Sequence, residues 1–416
     1  MSEWQQSTLG KMASVQTGPF GSQLKNEQYV TGGTPVVTVE HIKDFLIQDF
    51  VYPSVTDEDK RRLNKYTLKA GDIVFSRVGS VDLSAIVNAH QDGWLFSSRM
   101  LRVRVKEGLD SVFLSYYLRQ SAIRQFIVGI SVGSTMPSIN TEILKSLPVI
   151  YPSLEKQKDI AATLLSLDRK IENLRKQNET LEAIAQTLFK HWFVDFEFPN
   201  ADGKPYKSSG GAMEPSELGD IPAAWRVGKL GEIYKTTSGG TPSRKEPDYY
   251  AEKGYLWVKS KELYSNFILH TEEKITPLGL KNSSAKLLPE KTILIAMYGA
   301  TVGQISVLGV ESTCNQAICA VLEQEYSNYF IYLWLKHTQK EWTGMAIGSA
   351  QQNLSQVLIS KIEIVIPTLD IHYRFSSVVS PIFQKMLVHA RQIETLTKTR
   401  DELLPKLMSG KLRVTL

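Results

Sequence analysis

Two stretches of this 416-residue sequence gather small and hydrogen-bonding residues as a binding loop would. The first is Thr17-Gly18-Pro19-Phe20-Gly21-Ser22, followed by Gln23 and Lys25. The second is Ser238-Gly239-Gly240-Thr241-Pro242-Ser243, followed by Arg244 and Lys245. Glycine lets a backbone come close to a phosphate, and the flanking Ser, Thr, Gln, Lys and Arg supply donors. A plain strand-connecting turn accounts for the same letters. Three further sites pair up along the chain. Thr38, Glu40 and His41 stand against Lys259, Lys261 and Glu262. Ser76 and Arg77 stand against Ala296 and Met297. Ser134-Thr135-Met136 stands against Ser349-Ala350-Gln351, which runs on into Gln352 and Asn353. Asn353 also suits an N-cap before Leu354.

Catalytic chemistry is poorly represented. The sequence has no Gly-x4-Gly-Lys-Ser/Thr phosphate loop. It has no Asn/Asp-Pro-Pro-aromatic motif either. Pro247-Asp248 with Glu272-x-Lys274 has the residue types of a metal-dependent nuclease. Asn26-Glu27 stands at the matching place earlier in the chain, so the string reads as chance. The two cysteines, Cys314 and Cys319, make neither a zinc set nor a disulfide framework, which fits a reducing compartment. Lys60-Arg61-Arg62 follows Asp57-Glu58-Asp59 and reads as a mixed charged surface turn. A net charge of +5 permits nucleic-acid binding without arguing for it, because a basic face must come from local clustering. No signal sequence and no apolar run near the roughly 20 residues of a membrane span are present, so a cytoplasmic protein with no membrane contact is expected.

The elements that position these residues occur twice. Trp4 and Leu9-Gly10 precede the first loop, and Trp225 and Leu230-Gly231 precede the second. Leu68–Gly79 matches Leu288–Gly299, and Phe113–Leu118 matches Phe330–Leu335. Gly133-Ser134 leads to Ile139, Ile143 and Leu147 with the same gaps that separate Gly348-Ser349 from Leu354, Leu358 and Ile362. The offset drifts only from 221 (Trp4 to Trp225) to 215 (Gly133 to Gly348). Such a repeat means one architecture built twice, with diverged side chains. Within each copy, short β-branched runs such as Ile73-Val74-Phe75 and Thr292-Ile293-Leu294-Ile295 read as strands, with helical stretches between them.

A second kind of segment follows each globular part. Ile160, Leu164, Leu167, Ile171, Leu174, Leu181, Leu188 and Trp192 step by fours and threes, with Asn178 and Ala185 filling the gaps. Phe375, Val379, Ile382, Met386, His389, Ile393, Leu396, Leu403 and Leu407 repeat that register, interrupted at Arg400. These are heptad seams, each predicting a helix of about 35–45 residues. Two such helices in one chain predict an antiparallel pair. Asn178 and His389 are polar seam positions that either fix the register or lie near a helix end or a partner. The expected boundaries are a globular domain at 1–152, a helix at 153–199, a linker at 200–224, a second domain at 225–367 and a second helix at 368–416. The fold class is α+β: two pseudo-repeated mixed α/β domains separated by two long antiparallel helices.

This organisation resembles the specificity subunits of type I restriction-modification systems. Leu181–Phe196 resembles the family's central helical region, Thr399–Val414 its C-terminal end, and Pro152-Ser153-Leu154-Glu155-Lys156-Gln157 the start of its first helix. Pro367-Thr368-Leu369-Asp370-Ile371-His372 departs from that last motif, lacking its Glu-x-Gln. The resemblance implies two target-recognition domains reading the halves of a bipartite double-stranded DNA target. It also implies a helical spacer that docks two modification (methyltransferase) subunits and, through them, restriction (motor-nuclease) subunits. The chain itself would carry no catalytic residue, metal or cofactor; S-adenosylmethionine, ATP and magnesium would belong to its partners. On this reading Thr17, Gly18, Ser22, Gln23, Lys25, Thr38, His41, Ser76, Arg77, Ser134 and Thr135 face DNA in the first domain. Ser238, Gly239, Thr241, Ser243, Arg244, Lys245, Lys259, Lys261, Ser349, Gln351, Gln352 and Asn353 do so in the second. Leu181, Phe189, Trp192, Phe193, Leu396, Leu403 and Leu407 are expected to meet protein partners. The competing reading is a coiled-coil scaffold with two interaction modules and no DNA.

Overall fold

The computed structural model describes residues 4–48, 50–133, 135–344 and 353–413. The chain forms two compact units, Met1–Ile171 with Leu396–Leu416, and Glu172–Thr395. In the first, Ala13–Thr17, Met100–Val105, Ile73–Ser76 and Ser84–Ile86 form an antiparallel sheet in that spatial order. All four residues of Ile73–Ser76 are buried, as a central strand requires. A smaller sheet sets Thr34–Val37 between Ser54–Val55 and Leu95–Phe96. Gln5–Thr8 pairs with Pro148–Tyr151, tying the two ends of the globular part together.

The second unit repeats the plan. Lys235–Ser238, Ile318–Leu322, Ile293–Ala296 and Ile305–Leu308 follow one another across its main sheet, with Phe267–Ile268 added at the edge. The central register is also shared: Ser76 lies opposite Met100, and Ala296 opposite Ile318. Tyr250–Val258 lies between Lys274–Ile275 and Thr313–Cys314, and Arg226–Lys229 pairs with Glu363–Ile366. The glycine that follows each central strand, Gly79 and Gly299, has a positive φ of 83° and 75°, which explains its return in both copies. Cys314 and Cys319 lie unpaired on consecutive strands of two different sheets, where burial pushes both thiols up to about 12. The stretch whose composition reads as a linker folds against its own unit. There Tyr206 stacks on Phe198, with 4.5 Å between ring centroids.

Both predicted long helices form, as Leu154–Phe193 and Leu369–Met408, each of 40 residues and so about 60 Å long. The second runs through Pro381 and Pro405, although proline removes a helical N–H. Each unit contains part of both helices. In the first, Ile160, Ala161 and Leu164 share a core with Leu404, Leu407 and Met408, together with Leu101, Phe113 and Leu147 from the globular part. In the second, Phe189, Trp192 and Phe193 share a core with Phe375, Val379 and Phe383, together with Phe330 and Trp334. The start of one helix therefore meets the end of the other in each unit, which is antiparallel pairing.

Polar residues lock both pairings. In the second unit the two polar seam residues meet: His389 Nδ1 lies 2.9 Å from Asn178 Oδ1, and Asn178 Nδ2 donates to the Met386 carbonyl at 3.1 Å. In the first unit, Arg400, which interrupts the seam, donates to Asp168 at 2.7 Å. Asp168 also accepts from Arg119 at 2.7 Å and from the Tyr116 hydroxyl at 2.6 Å. Burial alone would raise the Asp168 carboxyl, but Arg119, Tyr116 and Arg400 together hold it below the usual carboxylate range.

The helix starts also correspond. Gln157, fully buried, accepts the Asp110 N–H at 2.8 Å and donates to the Pro152 and Gly108 carbonyls at 2.9 and 3.1 Å. Asp110 caps the helix Ser111–Arg119. In the second unit, His372 Nε2 accepts the N–H of Ser327 at 2.9 Å, and Ser327 caps Asn328–His337. The missing glutamine of the second copy is thus replaced by a histidine that makes the same anchor. That bond needs a neutral ring, and burial lowers the His372 pKa from 6.5 to about 4. A depressed histidine pKa means the unfolded state takes up the proton first. Stability from this site is therefore complete above about pH 6.5 and drains away as pH falls towards 4. In His372→Gln the drop in melting temperature between pH 7 and pH 5 should shrink; an unchanged drop would show that this ring does not set acid sensitivity.

Candidate functional site

One short turn organises the candidate surface in each unit. In the first it is Ser97-Ser98-Arg99, leading into the central strand Met100–Val105. Ser97 N–H donates to the Val37 carbonyl at 2.9 Å, next to Thr38. The Arg99 carbonyl accepts the Arg77 N–H at 2.8 Å, and the Gly18 N–H donates to the Met100 carbonyl at 3.1 Å. In the second unit the turn is Asn315-Gln316-Ala317. Asn315 N–H donates to the Val258 carbonyl at 2.9 Å, next to Lys259. The Ala317 carbonyl accepts the Met297 N–H at 2.8 Å, and the Gly239 N–H donates to the Ile318 carbonyl at 3.3 Å. Three equivalent bonds thus bring three sequence-predicted segments to one place in each unit. The fourth joins from the far side. Gly79 N–H donates to the Pro137 carbonyl at 2.8 Å, and Leu354 N–H, next to Asn353, donates to the Met297 carbonyl at 2.9 Å.

The loop glycines serve this convergence. A Cβ on Gly18 would fall 2.0 Å from the Ser97 carbonyl oxygen, and one on Gly239 would fall 2.1 Å from that of Cys314. The glycines that suggested close approach to a phosphate are therefore required by close approach of the chain to itself. Thr17 and Ser238 are half-buried, and the Ser238 hydroxyl donates to Gln356 at 2.8 Å. Ser22, Lys25, Thr241, Ser243, Arg244 and Lys245 are exposed. Gln23 is braced by the Tyr66 hydroxyl at 2.6 Å and, through its carbonyl, by Arg62 at 2.7 Å. The Thr241 hydroxyl donates to the Gln316 side-chain carbonyl.

Several predicted contacts are occupied internally. His41 Nδ1 accepts the Thr38 N–H at 3.0 Å and lies 2.8 Å from its hydroxyl, while the buried ring packs between Phe50 and Tyr52. Glu262 does the same for Lys259, accepting its N–H at 2.7 Å. Ser76 is fully buried, with its hydroxyl donating to the Val78 carbonyl at 3.1 Å, and Arg77 is half-buried. Thr135 and Asn353 are exposed. Ser134, Ser349, Gln351 and Gln352 lie outside the described residues.

The basic side chains of the second unit form an ion network. Lys259 donates to Glu272 and Glu273, each at 2.8 Å, and Lys261 pairs with Glu272 at 2.7 Å. Arg244 pairs with Glu273 and lies over the rings of Tyr250 and Trp257, at 4.3 and 5.0 Å. Hydrogen bonds from Arg244 and Lys259 hold the Glu273 carboxyl down at about 2. Glu272, part of the nuclease-like string, is thus engaged by two lysines, and among the described residues no acidic, His or Cys cluster of three or more could hold a metal.

The residues expected to meet protein partners are turned mostly inward. Phe189 and Phe193 are 1% exposed and Trp192 8%. Leu407 is buried in the first unit's core, with Leu403 partly buried against it. Leu181 packs against the second unit's core, and Leu396 is half-buried. Their heptad spacing marked them as a contact face, and the chain itself supplies the contact. No described helix is long and apolar enough to cross a membrane.

Two mixed α/β units, each with the same converging loops and each built on two long helices, define a duplicated recognition protein. The profile of the type I restriction modification DNA specificity domain matches residues 1–183 and again 222–398. The chain belongs to this family, as a specificity subunit of a type I restriction-modification system. It is 30% identical over 425 residues to the type I restriction enzyme MjaIX specificity subunit of Methanocaldococcus jannaschii, covering 99% of this chain and 94% of that one. It is 26% identical to the HindI specificity subunit of Haemophilus influenzae, covering 99% of this chain and all of the other. The crystal structure of the type I S subunit from M. genitalium shares its fold, with a TM-score of 0.59 at 18% identity over 97% of this chain and 96% of that one.

Glu273 cancels positive charge at the converging loops. Glu273→Gln should tighten binding to random-sequence DNA and steepen its salt dependence. An unchanged salt slope, measured by titration at several ionic strengths, would place Arg244 and Lys259 away from phosphates.

Proposed function

We propose that this chain reads a bipartite double-stranded DNA target, one half with each unit, and holds modification subunits over it. The observation that carries the reading is the repeated turn. Two copies of one backbone frame present different side chains, as two readers of two different half-sites require. Base edges are told apart by hydrogen-bonding patterns in the major groove, and exposed or half-buried loop residues around the turn supply such groups. Thr17, Ser22, Lys25, Arg77 and Thr135 are the proposed contacts of the first reader. Thr241, Ser243, Arg244, Lys245, Lys259, Lys261 and Asn353 are those of the second. Ser134, Ser349, Gln351 and Gln352 remain proposed members. Gly18, Gly239, Gln23, Thr38, His41, Ser76 and Ser238 support the frame.

The long helices would act as the spacer and the docking face for two methyltransferase subunits, through which motor-nuclease subunits join. S-adenosylmethionine, ATP and magnesium would then reside in those partners, and this chain would bind and position without catalysing. Its setting would be the cytoplasm, where the complex methylates host DNA and defends against foreign DNA.

The test is methylation-site mapping on DNA from cells producing this chain with a modification subunit. Two short fixed stretches around an unspecified gap are expected. Exchanging residues 1–150 for those of another family member should change one stretch only. A continuous motif, or methylation that persists without the chain, would overturn the reading in favour of a scaffold without DNA.

A further inference from the structure

The turn leading into each of the strands Met100–Val105 and Ile318–Leu322 combines a matched backbone with divergent side chains. Ser97, Ser98 and Arg99 correspond to Asn315, Gln316 and Ala317 by strand register and by matched backbone bonds. Each turn is closed by one further equivalent bond: Met100 N–H to the Ser97 carbonyl at 3.1 Å, and Ile318 N–H to the Asn315 carbonyl at 3.2 Å. No position keeps its residue type between the two copies. Each turn ends in a buried interior strand of its sheet, which anchors it.

Each turn offers one exposed side chain capable of bidentate base recognition. In the first unit it is Arg99, and among the described residues its guanidinium has no hydrogen-bond or ion-pair partner. In the second it is Gln316. Thr241 donates to its side-chain carbonyl, fixing the amide, while Nε2 has no partner among the described residues. Three neighbouring cations of the second unit, Arg244, Lys259 and Lys261, are committed to Glu272 and Glu273. Their long, salt-paired heads suit phosphates rather than base edges. A glutamine with one end pinned and the other open is prepared for base reading, and an unpaired guanidinium is free for it.

We propose that these two turns are the base-reading elements, with Arg99 and Gln316 as specificity-determining residues, Arg99 for a guanine and Gln316 for an adenine. This rests on the half-site reading above. Thr241 is the positioning residue for Gln316. One side chain per turn is replaced without disturbing the backbone frame, so each half-site changes independently of the other.

The experiment is methylation-site mapping with the full chain and its modification subunit, comparing wild type, Arg99→Ala and Gln316→Ala. Both side chains are exposed, so both variants should fold; melting temperatures check this. Gln316→Ala should relax one A·T position in one half-site, with discrimination there falling about 5- to 150-fold, as loss of a bidentate contact does. Arg99→Ala should relax one G·C position in the other half. A split motif in wild type that stays unchanged in both variants would overturn this assignment and leave the half-site reading standing. Relaxation of both halves by one variant, or loss of methylation in a variant with wild-type melting, would also overturn it. A wild-type motif that is not split would remove the half-site reading itself.

Discussion

The constraint on which the rest depends is the contact between the first glycine loop and the turn before the central strand. At 2.0 Å from the Ser97 carbonyl there is no room for a Cβ on Gly18, and the same holds for Gly239 beside Cys314. This contact pins a surface loop to an interior strand of each sheet. From that strand the order passes outward by backbone hydrogen bonds alone, to the segments after Val37 and Val258 and to those at Arg77 and Met297. Backbone bonds do not depend on side-chain identity. A recognition surface can therefore change its chemistry while its geometry stays fixed. Weak identity between two copies with matching offsets follows directly from this arrangement.

The long helices show what sequence period reveals and what it leaves open. Both helices, their antiparallel pairing and the two polar seam positions were legible, because a seam of fours and threes has one structural solution. The occupant of the seam was not. Phe189, Trp192 and Phe193 read as a face waiting for a partner protein. Instead Phe330, Trp334 and Phe375 receive them within the same unit. Spacing identifies a buried face and carries no information about what buries it. The C-terminal turns of each helix close the core of a globular part that precedes the other helix: Leu404 and Leu407 do so in the first unit, Phe189 and Phe193 in the second. Among the described residues, the helix face left for another protein is consequently polar, apart from isolated exposed residues such as Ile184, Val378 and Val388.

The proposed binding surface was legible as segments and not as side chains. Three of the paired segments converge, and described residues beside the fourth, Pro137 and Leu354, bond to them, since the repeat marked where structure was kept. Within them, polar residue type was a poor guide. Ser76 satisfies itself, and His41 and Glu262 cap their own short turns by the same bond with different chemistry. Arg99 and Gln316 escaped notice because they lie in no glycine loop, basic run or repeated motif. Their signal was divergence, since the letters before the strand changed while the strand register did not. A similar substitution was visible at the helix starts. The second copy's missing glutamine looked like a loss, yet His372 presents a ring nitrogen where Gln157 presents an amide oxygen, and both accept the N–H of a helix cap.

Charge completes the argument. A chain with a net charge of +5 has little excess with which to hold a polyanion. The second unit nonetheless sets Arg244, Lys259 and Lys261 against Glu272 and Glu273, so much of its local positive charge is already cancelled. Phosphate attraction is indifferent to sequence, and a strongly basic surface would hold the protein on any DNA it met. Pairing those cations with carboxylates weakens that indiscriminate attraction. It shifts the balance towards groups that distinguish one base edge from another, which is the property a specificity subunit must supply.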